Sequence, residues 1–247
     1  MLFHAIQIIR TFCRKLRDDS VSAFAAQAAF FIILSFIPFI MFLFTLLNFL
    51  PMTAGDLKRL PAGILSGTAA LWSASRGTLA LIRGLNAVYK YKETRNYFLI
   101  RALSMVYTLC FAILLLITFV LLVFGNHLYD WIMSRFPLFS DAAFFIMSLR
   151  SFGTMAILTI FFLLLYLVVP NHKSRLFAEL PGAVLTAGGW IGFSFLFSFY
   201  IDYQTKHSFA YGSLTTLAFS MLWLYFCMYI LFVGAEINVF LANDKDM

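Results

Sequence analysis

Four stretches of this chain, Ala28 to Leu50, Ala102 to Phe124, Leu180 to Ile201 and Ser213 to Ala235, contain no Asp, Glu, Lys or Arg. Each is long enough as a helix to cross the roughly 30 Å of hydrocarbon in a bilayer. Lipid offers no partner to a backbone N–H or C=O, so such segments pair their own backbone groups and cross as helices. The expected fold is therefore an all-α membrane protein. A composition of 62% apolar and 12% charged residues leaves too little polar material for a soluble surface, and 31 Phe suit helix sides that meet lipid tails. A fifth run, Phe152 to Val169, is shorter and is closed by Pro170, which cannot continue a helix.

The sixth segment, Leu60 to Leu81, is rich in Gly, Ala and Ser and carries Arg76 near its end. Hydropathy alone leaves it a weak span, a re-entrant segment or a surface helix. Charge placement separates these, because Lys and Arg concentrate on cytoplasmic loops. If the segment crosses, thirteen of the 18 basic residues share one side: Arg10, Arg14, Lys15, Arg17, Arg76, Arg83, Lys90, Lys92, Arg95, Arg101, Lys173, Arg175 and Lys245. Lys58, Arg59, Arg135, Arg150 and Lys206 occupy the other. If it does not cross, the bias collapses. The expectation is six spans, about 28–50, 60–81, 102–124, 152–169, 180–201 and 213–236, with both termini cytoplasmic and a short tail over 242–247.

Ahead of the first span, Phe3, Ile6, Ile9, Cys13 and Leu16 recur at steps of three and four, with Arg10, Arg14, Lys15 and Arg17 largely off that stripe. This predicts an amphipathic helix over residues 1–20, lying on the cytoplasmic membrane surface or packed on the end of the bundle. Asp18, Asp19 and Ser20 offer a break and a cap for the next helix. The first apolar run lacks the short core and cleavage site of a signal peptide and reads as a retained span. Within the chain, residues 60–67 (LPAGILSG) echo residues 180–187 (LPGAVLTA) at an offset of 120. Entering from opposite sides, the two copies would form an inverted three-plus-three repeat, an arrangement used by transporters; Leu-Pro followed by small residues is also common at membrane-helix starts.

Ionisable residues close to the hydrocarbon are costly and mark candidate functional positions. Arg76 and Arg83 lie seven residues apart on one helical face, with Asn86 three further on and Trp72 and Ser75 just before. Their guanidinium forks match a phosphate or carboxylate headgroup, whereas simple snorkelling to the boundary would give them no ligand. Glu236, with Asn238 beside it, reaches the same depth from the last span and is the expected charge partner of Arg76. The widely spaced Cys13, Cys110 and Cys227 form no disulfide framework, and the histidines no metal cluster. Paired carboxylates, a nucleophile elbow and a phosphate-binding Gly-rich loop are all missing, so neither an enzyme nor a cofactor is expected.

The residues 25–31 (AAQAAFF) with Pro38, the run Leu71 to Gly77, Arg83-Gly84-Leu85-Asn86 with Tyr89, Val169-Pro170-Asn171, Leu180-Pro181-Gly182-Ala183, Tyr211-Gly212-Ser213-Leu214 and Gly234-Ala235-Glu236-Ile237-Asn238 resemble the YihY/BrkB family of bacterial inner-membrane proteins. The family was once labelled ribonuclease BN, a misassignment with which this chain's lack of a nuclease constellation agrees. Links of some members to serum resistance, and of others to altered lipopolysaccharide precursors, imply movement of lipids or related amphiphiles. The expected function is a transporter or flippase-like protein for an anionic lipid. Arg76, Arg83, Asn86, Trp72 and Ser75 would contact the headgroup, with Glu236 and Asn238 balancing charge. The alternative is a scaffold that organises a protein partner or a homo-oligomer. Nucleic acid is not an expected partner.

Overall fold

The computed structural model describes residues 2–49, 60–113, 116, 150–171, 174–207 and 212–245. Seven helices run through them: α1 (Leu2–Asp18), α2 (Val21–Phe49), α3 (Leu60–Val88), α4 (Tyr97–Ile113), α5 (Arg150–Val168), α6 (Leu176–His207) and α7 (Gly212–Lys245). Three of them, over Val21–Phe44, Leu176–Tyr203 and Thr215–Ala242, are long and apolar enough to cross a membrane, while Tyr97–Ile113 and Met155–Val168 are shorter apolar helices. The second half of the expected span 102–124 lies outside the described residues apart from residue 116. The 60–81 segment is part of one unbroken helix of 29 residues, about 44 Å long at 1.5 Å per residue.

Several helix ends lie beyond the expected spans, three of them as follows. The helix predicted from Ala28 starts at Val21, directly after the α1 break. Ser20 has φ 53°, and its carbonyl accepts from the N–H groups of Ala23 and Phe24, as a helix-opening residue does. The expected start at Leu180 moves back to Leu176, so Pro181 sits inside α6. The last helix absorbs most of the expected tail and runs to Lys245. In each case polar residues continue the helix at the bundle end, where an apolar-run criterion stops counting.

α2 packs along α3, α5 along α6 and α6 along α7, and α2 and α3 both lean on α7. The residues they bury are often small: Val21, Ala25, Ala28 and Ala29 from α2, Ala183 and Ala187 from α6, Ala235 from α7. These meet larger groups such as Ile82, Leu85, Phe162 and Leu231. Bulky residues point the other way. Phe195 is 73% exposed, and Phe36, Phe44, Leu196 and Phe199 are likewise exposed. Small residues at the helix contacts and many bulky apolar ones on the outside fit helices whose outer faces are solvated by lipid.

α6 and α7 cross at two glycines. A Cβ on Gly182 would strike the Gly234 carbonyl oxygen, and one on Gly234 would strike Thr186 Oγ1 and lie 2.6 Å from the Tyr166 hydroxyl. Above the crossing, Tyr166 donates to the Leu231 carbonyl at 2.7 Å and shares a hydrogen bond with Thr186 at 2.7 Å. Below it, the Gly182 N–H donates to Asn238 Oδ1 at 2.7 Å. Pro181 already interrupts the ladder of this turn, and the Asn238 amide supplies polar partners across the interface.

Candidate functional site

Two polar regions stand out. The first begins on α3, where Trp72, Arg76, Leu79, Ala80 and Arg83 fall at helical steps that bring them to one side. Gln27 and Phe31 of α2 and Tyr97 and Arg101 of α4 face them, and the nine residues line a cavity of about 230 Å³. Arg76 and Arg83 are exposed, whereas Arg101 is only 3% exposed. One guanidinium nitrogen of Arg101 donates to the Trp72 carbonyl, and its carbon lies 4.5 Å from the centre of the Trp72 ring. Hydrogen bond and ring face together fix its orientation. The positive charges of Arg76 and Arg83 act against that of Arg101, and among the described residues none of the three pairs with a carboxylate. Three like charges around one small cavity repel unless an anion enters.

Sequence reasoning placed Trp72, Arg76 and Arg83 in a site, and the structure brings them together on this wall. Ser75 and Asn86 do not line it. Ser75 is buried and donates back to the Trp72 carbonyl at 2.9 Å. Asn86 donates to Glu93 at 2.7 Å and accepts from the Asn171 N–H at 2.8 Å, tying the segment after α3 to the α5–α6 turn. Gln27, Tyr97 and Arg101 were missed. Arg101 was counted only as a boundary charge, although Tyr97 four residues earlier puts an aromatic and a cation on one helical face.

The second region gathers the bundle ends nearest α1. Glu236 is fully buried and takes Lys15 of α1 at 2.7 Å, not Arg76 as expected. α7 carries Glu236 on the side that meets α1, while Arg76 lines the cavity that α3 forms with α2 and α4. Lys15 also lies 5.7 Å from the centre of the Phe240 ring, and Phe12 meets Phe240 edge-on. The amphipathic helix is thus packed on the bundle end. Lys90 reaches Asp19 at 3.3 Å, joining two turns that both carry a left-handed residue, Ser20 and Lys90. At Lys90 the N–H of Tyr91 returns to the Asn86 carbonyl at 2.9 Å, closing α3 with a Schellman arrangement.

Asn238, expected beside Glu236 as a charge partner, instead serves Glu179: its amide donates to the Glu179 carbonyl at 3.1 Å and carboxylate at 2.8 Å. The Tyr89 hydroxyl donates to the same carboxylate. Burial first, and then the Glu179 charge, push the Tyr89 phenol far above its ordinary range, so it stays a donor. This cluster holds α3, α6 and α7 together at one end through hydrogen bonds among its own polar groups.

Against known proteins, residues 56–247 match the family model described as virulence factor BrkB. The chain is 32% identical over 250 residues to the ribonuclease-like protein YfkH of Bacillus subtilis, covering 90% of each chain. It is 24% identical over 265 residues to a UPF0761 membrane protein of Pseudoalteromonas atlantica, covering 93% of this chain and 84% of that one. A UPF0761 membrane protein of Aliivibrio fischeri is 38% identical over 80 residues, 32% of this chain and 26% of that one. No solved structure matches the chain. With the family match covering residues 56–247, and with three helices long and apolar enough to cross a membrane, this chain is a membrane protein belonging to the virulence factor BrkB family.

Proposed function

We propose that this protein is a transporter of flippase type for an anionic lipid or amphiphile in the bacterial inner membrane. The observation that carries the reading is the cavity lined by Arg76, Arg83 and Arg101 with no carboxylate on its wall. A structural arginine near the hydrocarbon finds a counter-charge in the protein, as Lys15 does in Glu236; three that find none among the described residues are arranged for an anion from outside. Between and beside the arginines the lining is apolar, with Phe31, Trp72, Leu79 and Ala80, as an amphiphile requires.

Six spans with both termini cytoplasmic complete the proposal. α3 is long enough to cross, and its crossing puts thirteen basic residues on one side. The helices themselves also run in two similar series. At an offset of about 120 residues, α2 overlies α5, α3 overlies α6 and α4 falls within α7. With every helix crossing, this order supports an inverted three-plus-three repeat.

The protein reconstituted in liposomes is expected to speed the inward movement of an acyl-labelled anionic phospholipid, phosphatidic acid. Arg76→Ala with Arg83→Ala is expected to lower that rate at least tenfold. Equal rates in the two proteins, or equal acceleration of zwitterionic phosphatidylcholine, would overturn the reading.

A further inference from the structure

The cavity also specifies the kind of anion it takes, an inference that rests on the anionic-amphiphile reading. We infer that its ligand is a phosphomonoester headgroup carried on a lipid, and that Arg101 is the residue that tells it from a phosphodiester.

Charge comes first. Three guanidinium groups meet at the cavity and none is neutralised by a carboxylate among the described residues. A phosphodiester such as phosphatidylglycerol brings one negative charge and two free oxygens. A terminal phosphate brings about −1.5 to −2 at neutral pH and three acceptor oxygens. Only the second offers each arginine an oxygen of its own, and it offsets more of the wall's charge than a diester does.

Geometry gives Arg101 the discriminating role. Arg76 and Arg83 are exposed and follow any anion by moving. Arg101 is buried and held by the Trp72 carbonyl and ring, and its Nε is buried with no hydrogen-bond partner. A buried donor without a partner is costly, so a ligand oxygen that satisfies it gains more than one that meets a solvated arginine. An ester substituent on that side of the phosphate would remove the oxygen and bring bulk against Phe31 and Trp72.

Size supports a headgroup in place of a whole amphiphile. At about 230 Å³ the cavity is smaller than the roughly 300–1,000 Å³ of sites that enclose entire drug-sized ligands. The chain of the lipid therefore stays outside, beside the exposed Tyr97 and Phe98 at the start of α4.

The test is binding to the full chain in phosphatidylcholine nanodiscs. The probes are short-chain phosphatidic acid, short-chain phosphatidylglycerol and inorganic phosphate, with wild type compared to Arg101→Lys. Phosphatidic acid is expected to bind at least tenfold more tightly than phosphatidylglycerol, and inorganic phosphate at least tenfold more weakly than phosphatidic acid. Arg101→Lys keeps the charge but not the fork, and is expected to bring the two lipids within about threefold of each other. Equal affinity of the two lipids for the wild type overturns the monoester assignment while leaving the anionic-amphiphile reading intact, and this arm needs no variant to fold. Inorganic phosphate binding as tightly as phosphatidic acid overturns the lipid source. Unchanged discrimination in Arg101→Lys overturns the role of Arg101. Failure of every anionic probe to bind removes both this inference and the transport reading beneath it.

Discussion

Lys15→Met is expected to destabilise the protein by about 3–5 kcal/mol, because it strips the partner from a buried charge. The two ends of that ion pair are not equivalent. The Glu236 side chain is 0% exposed and that of Lys15 17%. Glu236 is enclosed by the bundle and has nowhere to go, whereas Lys15 stands on α1, packed on the bundle end, and its long stem lets the ammonium reach water. Glu236→Gln is therefore expected to cost less than Lys15→Met, although both break the same contact. Combining Lys15→Met with Glu236→Met replaces the pair by apolar side chains of similar length and is expected to recover most of the loss. The thermal unfolding midpoint of the four proteins in one detergent reads all of this. Equal midpoints for Lys15→Met and wild type would show that the pair carries no stability.

Gly182→Ala is the second large effect. The added Cβ would meet the backbone oxygen of Gly234, which cannot swing aside as a side chain can, and both polar atoms of the Asn238 amide at 2.5 Å. Relief requires α6 and α7 to separate, and separation also stretches the hydrogen bonds from Gly182 to Asn238 and from Asn238 to Glu179. Overpacking alone costs about 1–3 kcal/mol. The lost hydrogen bonds to a charged group add about 1.5–3 kcal/mol. Gly192 on the same helix is the control, since no atom lies within 4 Å of a Cβ placed there. Gly192→Ala is expected to be neutral or to stabilise by up to about 1 kcal/mol through helix propensity. If both variants unfold at the same temperature, the close crossing is not what holds this pair of helices.

The spans were legible because lipid imposes a rule that can be read along one dimension. A long uncharged run must be a helix, and α2, α6 and α7 follow it. Trp72, Arg76 and Arg83 were legible for a related reason: residues on one helix share a face by spacing alone. What could not be read was the angle at which helices present themselves to one another. Depth suggested Arg76 for Glu236, but depth is shared by every helix in the bundle, and the choice of Lys15 depends on which side of α7 meets α1. Arg101 was lost for the same reason. At the edge of an apolar run a basic residue reads as a topology marker, and only the approach of α4 to α3 turns it into the third arginine of a cavity. Gly182 and Gly234 appeared within short family motifs with no visible partner, because each owes its lack of a side chain to the other, 52 positions away by their numbering.

Whether the arginine cavity holds an anionic amphiphile is tested most directly by mass spectrometry of the lipids that stay with the gently purified protein. The wild type is expected to retain one anionic species in roughly stoichiometric amount, above its share in the surrounding membrane, and a folded Arg76→Ala, Arg83→Ala variant is expected to lose it. If both proteins carry only bulk lipid in the same proportions, the cavity is not a headgroup site and the transport reading loses its foundation.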